Sequence, residues 1–174
     1  MKKFQFLLLD ATPIIKLFQL GLWDDLVNRC DITISRTVME EAKWASADFE
    51  DIRIDLEPYK QQNKIQVIDL SLTEVSSFFG RFDSKYKAII DPGEKETLAF
   101  LDNSTEPWKL CSADHAAFRI LGLLGKAEQG ISLEELLGQV GLSRKLDWQY
   151  TKRFREKHTQ LGQTDSVQGQ GFGS

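Results

Sequence analysis

Six residues near the start of the chain, Phe4-Gln5-Phe6-Leu7-Leu8-Leu9, are apolar at every position but one and end at Asp10. A strand with one face in water alternates apolar and polar residues, so a run this apolar requires cover on both faces. Helices must therefore lie on each side of the sheet it joins. Asp31-Ile32-Thr33-Ile34, Ile65-Gln66-Val67-Ile68 and Trp108-Lys109-Leu110-Cys111 read as three further short strands. Helical patterns fall between them. Thr12-Pro13 opens one, with Pro where a missing N–H costs nothing, and Gly21 closes it; Trp23 to Val27 is a second. Ser35 or Thr37 caps a helix from Val38 to about Phe49, and others run from Thr73 to Phe82, from Asp91-Pro92 to about Leu101, and from Asp114 to Leu124. Strands alternating with helices predict an α/β fold, layered around a mainly parallel sheet.

The 174 residues suffice for one domain with a sizeable core. With 22 Lys and Arg against 26 acids, the chain has no overall field to attract a polyanion, and nonspecific nucleic-acid coating is not expected. Cys30 and Cys111 form no CxxC pair, so they read as reduced, buried thiols rather than a disulfide scaffold or zinc knuckle. Lys2 and Lys3 before the first apolar run imitate a secretory leader, but Asp10 interrupts it and no cleavage motif follows. No stretch approaches the roughly 20 apolar residues of a membrane span. The expected location is the cytoplasm, with no membrane partner. After Gly130 the pattern becomes helical, first over Leu133 to Leu137 and then over about Ser143 to His158. That last segment holds six Lys and Arg (Arg144, Lys145, Lys152, Arg153, Arg155, Lys157) against Asp147 and Glu156. Residues 159–174 are rich in Gly, Gln and Ser and read as a disordered tail. The organisation expected is residues 1–130 as the α/β domain, 131–158 as a helical extension and 159–174 as the tail.

In an open α/β sheet the carboxyl ends of the strands converge on one crevice. Asp10 follows the first strand and Asp114 the Trp108–Cys111 strand. Glu41 lies in the helix after the second strand, and Glu94 and Glu96 in the first turn of the helix after Pro92. Such acids, brought together, cannot all stay charged without a cation, and an oxygen-only donor set selects Mg²⁺ or Mn²⁺ over zinc. At about 100° per residue, Val38, Ala42, Ala45 and Phe49 form one stripe, with Glu41 on its flank and Glu40 pointing away. Glu94 and Glu96 are not separated by this test, because Leu98, Ala99, Phe100 and Leu101 surround their helix.

Four stretches, Leu7-Leu8-Leu9-Asp10-Ala11-Thr12-Pro13-Ile14-Ile15, Val38-Met39-Glu40-Glu41-Ala42, Asp91-Pro92-Gly93-Glu94-Lys95-Glu96-Thr97-Leu98-Ala99 and Cys111-Ser112-Ala113-Asp114, resemble the PIN-domain nucleases in content and order. The nearest likeness is to a toxin-like, largely uncharacterised subgroup with a Gly-Glu-x-Glu helix start. The resemblance covers roughly residues 4–125. It implies a PIN-like three-layer α/β/α sandwich and metal-binding catalytic acids at Asp10, Glu41, Glu96 and Asp114, with Ser112 orienting Asp10 and Glu94 the less favoured of its pair. It further implies an Mg²⁺- or Mn²⁺-dependent endoribonuclease. One ion at Asp10 and Asp114 would generate the nucleophile, and a second near Glu41 and Glu96 would stabilise the leaving oxygen. Implied partners are single-stranded RNA, an antitoxin protein and a second copy of the chain. Lys95 departs from the pattern, standing where a small residue is usual, and so does everything after Leu124. A narrow acidic cleft also needs flanking cations, for which Arg36, Lys43, Arg119 and the Arg144–Lys157 cluster are the candidates.

Structural roles compete with each assignment. Asp10 and Asp114 are placed to cap helices, and Glu94 and Glu96 suit a helix N-terminus without any metal. His115 is left outside the site, and Trp148, Tyr150 and Phe154 read first as packing residues rather than base-stacking ones. A phosphotransferase of the haloacid-dehalogenase type would need a second acid where Thr12 stands. The remaining alternative is a non-catalytic PIN module that binds RNA or a protein.

Overall fold

Leu7, Leu8 and Leu9 are all fully buried, because the strand they form, β1 (Phe4–Leu9), lies at the centre of a five-stranded sheet. The computed structural model describes residues 2–47 and 50–173. On one side of β1 come β2 (Cys30–Ser35) and β5 (Ile65–Ile68); on the other come β6 (Lys109–Cys111) and β7 (Gly130–Ile131). Every pairing in this sheet is parallel, in the order β5-β2-β1-β6-β7.

Two cores sit on the two faces. Leu7, Leu9, Ile32, Ile34 and Cys111 face α1 (Ala11–Gln19), α2 (Trp23–Arg29) and α9 (Leu133–Gln139). Leu8 and Leu110 face α5 (Leu72–Phe79), α6 (Ser84–Ile89), α7 (Pro92–Asn103) and α8 (His115–Leu123). Burial of each large apolar side chain contributes about 1.5–3 kcal/mol, so both layers are held mainly by this term. The α/β architecture with helices on both faces is thus present.

Three expectations are corrected. The helix expected from Val38 to about Phe49 ends early: α3 covers Arg36–Glu41, capped by Ser35 accepting from the Val38 N–H at 3.1 Å. The chain then enters an antiparallel hairpin of β3 (Trp44–Ala47) and β4 (Glu50–Arg53). All of β4 is exposed, so it lacks the apolar alternation that marks a strand. Ala42 and Ala45 are buried as expected of the stripe, though the helical repeat does not place them; Phe49 lies outside the described residues.

The second correction concerns residue 130 as a boundary. Ile131 pairs with Cys111 in the main sheet, and Leu133, Leu136 and Leu137 are fully buried in its core. The third concerns the tail. Helix α10 runs Lys152–Val167, and Thr159 and Asp165 are buried. Its anchor is close backbone approach rather than apolar bulk: a Cβ at Gly162 would lie 1.8 Å from the Arg119 carbonyl oxygen, and one at Gly122 would lie 2.1 Å from that of Thr159. Arg119 pairs with Asp165 at 2.7 Å, and the Tyr86 hydroxyl donates to the same carboxylate. Beyond the helix, Phe172 stacks on Phe82 and the Gly171 carbonyl accepts from the Asp83 N–H. Among the described residues, no helix is long and apolar enough to cross a membrane.

Candidate metal centre

The sheet changes direction of growth between β1 and β6, and at that switch point the carboxyl ends of two neighbouring strands open a crevice. Asp10 emerges from β1 and Asp114 from just beyond β6. The Asp10 N–H donates to the Cys111 carbonyl at 3.1 Å, which extends the ladder by one residue and fixes Asp10 beside the end of β6. Its side chain makes no capping bond to α1. Instead the Ser112 hydroxyl donates to Asp10 Oδ2 at 2.8 Å, while the Asp114 N–H donates to Ser112 Oγ at 3.1 Å. Asp114 does cap: its Oδ1 accepts from the Ala116 N–H at 2.8 Å, at the start of α8.

The third wall is the N-terminus of α7. Asp91 Oδ1 accepts from the Glu94 N–H at 2.8 Å and Glu94 Oε2 accepts from the Asp91 N–H at 3.3 Å, a capping box. This bends the Glu94 side chain back towards the crevice. The residue is 1% exposed, and its Oε1 is one of three buried side-chain polar atoms without a hydrogen-bond partner among the described residues. One carboxylate oxygen each from Asp91, Glu94 and Asp114 lies within 4.8 Å of the others.

The spacing therefore resolves differently from the expectation. Glu94, not Glu96, faces Asp10 and Asp114. Glu96 is also buried, but its Oε1 accepts from the Thr37 N–H at 3.4 Å, at the first turn of α3. Residues two apart on a helix point in widely different directions, so only one of the pair reaches the crevice. Asp91 joins the cluster as well, and the Asp-Pro-Gly-Glu sequence carried the signal: an N-cap acid with Glu three residues later is a capping-box pattern that draws Glu94 to the helix start.

Glu41 reaches the same wall from α3. A Cβ on Gly93 would lie 2.9 Å from Glu41 Oε2, so the carboxylate rests against the first turn of α7 at the space this glycine leaves. Glu40 is turned outward to Arg36, at 3.4 Å. Lys95 leaves the site altogether, with its ammonium 3.9 Å from the centre of the Phe79 ring.

Electrostatics mark the cluster as strained. Burial pushes the Glu94 carboxyl up to about 10, with the charges of Asp10, Asp114 and Asp91 adding to it. Burial likewise raises Asp10 to about 7; the Ser112 hydrogen bond opposes this, and Asp91, Asp114 and Glu41 reinforce it. Glu41 is shifted upward by burial and by Asp91. No lysine or arginine hydrogen-bonds to any of these five acids among the described residues. Repulsion of this kind is relieved by protonation or by a cation.

Of the cations expected to flank the cleft, Arg119 is withdrawn, being tied to Asp165 and Tyr86 beneath α10. Arg36 is shared between Glu40 and Asp69. It borders, with Lys43, Arg53 and Lys60, a groove of about 480 Å³ beside α3. Comparison of the chain with protein-family models, with curated proteins and with solved structures finds no match.

Proposed function

We propose that this chain is a PIN-like endoribonuclease of the cytoplasm that uses Mg²⁺ or Mn²⁺ to hydrolyse RNA phosphodiesters. The observation that carries the reading is the Glu94 carboxyl, buried, with one oxygen unpartnered, and facing Asp10, Asp91 and Asp114. A capping box alone does not require this. A glutamate that served only to cap α7 would be satisfied at the surface, whereas an orphaned buried oxygen costs about 1–3 kcal/mol. The all-oxygen donor set fits a hard divalent ion and offers nothing to a thiophilic one.

Asp10, Asp91, Glu94 and Asp114 would hold the ion, with Glu41 at the rim. When bound, it supplies Lewis-acid charge and a water acidic enough to ionise near neutral pH. The chain's own groups do the rest. Ser112 orients the Asp10 carboxylate by donating to its Oδ2, leaving the other oxygen without a bond to this hydroxyl. Asp114 commits Oδ1 to the α8 N-terminus, and one of its oxygens lies within 4.8 Å of a carboxylate oxygen of Asp91 and of Glu94.

The experiment is cleavage of a panel of single-stranded RNAs in Mn²⁺ and in EDTA by the wild type, Glu41→Gln and Glu40→Gln. The two variants have the same composition, but only Glu41 touches the α7 wall. Cleavage confined to Mn²⁺, reduced a hundredfold or more by Glu41→Gln (about 2.7–4 kcal/mol for one electrostatic stabiliser) and unchanged by Glu40→Gln, is the expected result. Mn²⁺ binding without cleavage of any RNA would turn the reading to a non-catalytic module.

A further inference from the structure

Both histidines of the chain, 43 positions apart in sequence, meet beside the acidic crevice. His115 directly follows Asp114, and its ring centre lies 5.6 Å from that of His158 on α10. His158 packs on Phe154 at 4.5 Å, and Phe154 takes the edge of Trp148 at 6.1 Å. Phe154 is buried, but Trp148 is 51% exposed although it sits on this braced cluster. Sequence reasoning grouped Trp148, Tyr150 and Phe154 as packing residues; Tyr150 and Phe154 are buried, and Trp148 is not.

The strip is fastened to both strands' acids. At one end is His115, at the start of the helix that Asp114 caps. At the other, Asp147, next to Trp148, pairs with Lys16 of α1, the helix that follows Asp10, at 3.6 Å, and Lys16 also lies over the Tyr150 ring. Charge along the strip is positive. Lys152 pairs with Glu156 and Arg155 with Glu135, but Lys145, Arg153 and Lys157 are exposed and form no ion pair among the described residues. Burial, then His115, Lys157 and Arg119, hold His158 below the usual histidine value against the opposing charge of Asp114.

We propose that Trp148, His158 and His115 form a stacking platform for the bases of a single-stranded nucleic acid whose backbone is held by Lys145, Arg153 and Lys157 as it leads into the acidic crevice. The inference rests on the nuclease reading for its polarity towards the crevice, and deepens it by naming how the strand is held. The exposed Trp148 and His115, the half-buried His158 and the unpaired cations nearby in sequence supply what a sequence-tolerant single-strand surface requires: π-faces for bases and point charges for phosphates.

The test is equilibrium binding, in EDTA so that cleavage does not consume the probe. The full chain is titrated with a fluorescein-labelled mixed-sequence oligoribonucleotide and with an abasic oligonucleotide of equal length. The wild type should bind the base-containing strand more tightly than the abasic one. Trp148→Ala should weaken binding of the base-containing strand about tenfold, within the range for loss of one stacked base, and leave the abasic strand unchanged. Trp148→Phe should restore most of the loss. Lys157→Gln should weaken both strands alike and lower the salt slope by about 0.7. Equal affinity of Trp148→Ala and wild type for the base-containing strand, equal losses on both strands, or no binding of either by the wild type would overturn the platform. Cleavage in Mn²⁺ is scored separately. Intact cleavage with no effect of Trp148→Ala on binding sinks the platform alone, whereas base-dependent binding without cleavage sinks the nuclease reading and keeps the platform.

Discussion

Two helices of this protein begin with the same local device and put it to opposite electrostatic ends. At the start of α9, Ser132 and Glu135 form a capping box, and at the start of α7, Asp91 and Glu94 form another. Glu135 is met by the Arg155 guanidinium through two hydrogen bonds, of 2.7 and 2.8 Å. Burial would raise its carboxyl, but the bonds from Arg155 and Ser132 outweigh it and hold the group below its ordinary value. Glu94 has no cation beside it, and burial with three neighbouring acids drives it the other way, to about 10. A capping box thus determines where a glutamate points, and the tertiary surroundings decide in which direction its carboxyl is shifted.

The largest effect that separates the two boxes is on turnover. Glu94→Gln should reduce Mn²⁺-dependent RNA cleavage by two orders of magnitude or more, while Glu135→Gln should leave the rate per folded molecule near wild type. Single-turnover rates of both variants decide this, and equal losses would erase the distinction.

A smaller effect tests what partners Glu135. Arg155 lies on α10, which is seated on α8 through Gly162. Gly162→Val drives a side chain into the Arg119 carbonyl and should cost at least the ~1–3 kcal/mol usual for overpacking. Denaturant melts would read this loss, and truncation after His158 should show a loss of the same sign. Stability unchanged by either alteration would mean that α10 contributes nothing to the fold.

The third contrast is in pH dependence without metal. Glu94 holds its proton in the fold up to about pH 10 but has an ordinary value of 4.5. The folded state therefore binds more protons across that interval, and the contribution of Glu94 to stability, full below its ordinary value, is lost as pH rises towards 10. Asp10 acts in the same sense between 3.8 and about 7. Glu135 is opposite in sign: its contribution is present above 4.5 and is lost as pH falls through its lowered value. Glu94→Gln should flatten the decline in melting temperature on the alkaline side, and Glu135→Gln the decline on the acid side. Parallel profiles for the two variants would show that the boxes do not differ.

Legibility in the sequence follows the same division between local and tertiary causes. β1 was readable because a strand covered on both faces needs an apolar run, β5 because its residues alternate, and β2 and β6 as short strand-like runs between helical patterns. The β3–β4 hairpin was not, because β4 is exposed along its length and its pairing is local and polar, as in the 2.6 Å bond from Ser46 to Asp51. α10 was hidden for the reverse reason: its contact with α8 is made by two glycines, which look like linker residues until two backbones are seen to touch. In the site, Asp10 and Asp114 could be placed because strand ends converge, whereas Ser112 came only from the resemblance. Helical phase could not choose between Glu94 and Glu96, because apolar residues surround α7 on all sides, and the resemblance alone favoured Glu96.

The central claim, that the crevice is built for a divalent ion, is tested most directly by titrating metal-free protein with Mn²⁺ calorimetrically at neutral pH in two buffers of different ionisation enthalpy. The account predicts saturable binding that releases protons, because Glu94 and Asp10 must ionise to ligate, and predicts that Glu94→Gln weakens binding and reduces the protons released while Glu135→Gln does neither. Absence of Mn²⁺ binding, or equal binding and proton release by wild type and Glu94→Gln, would contradict it.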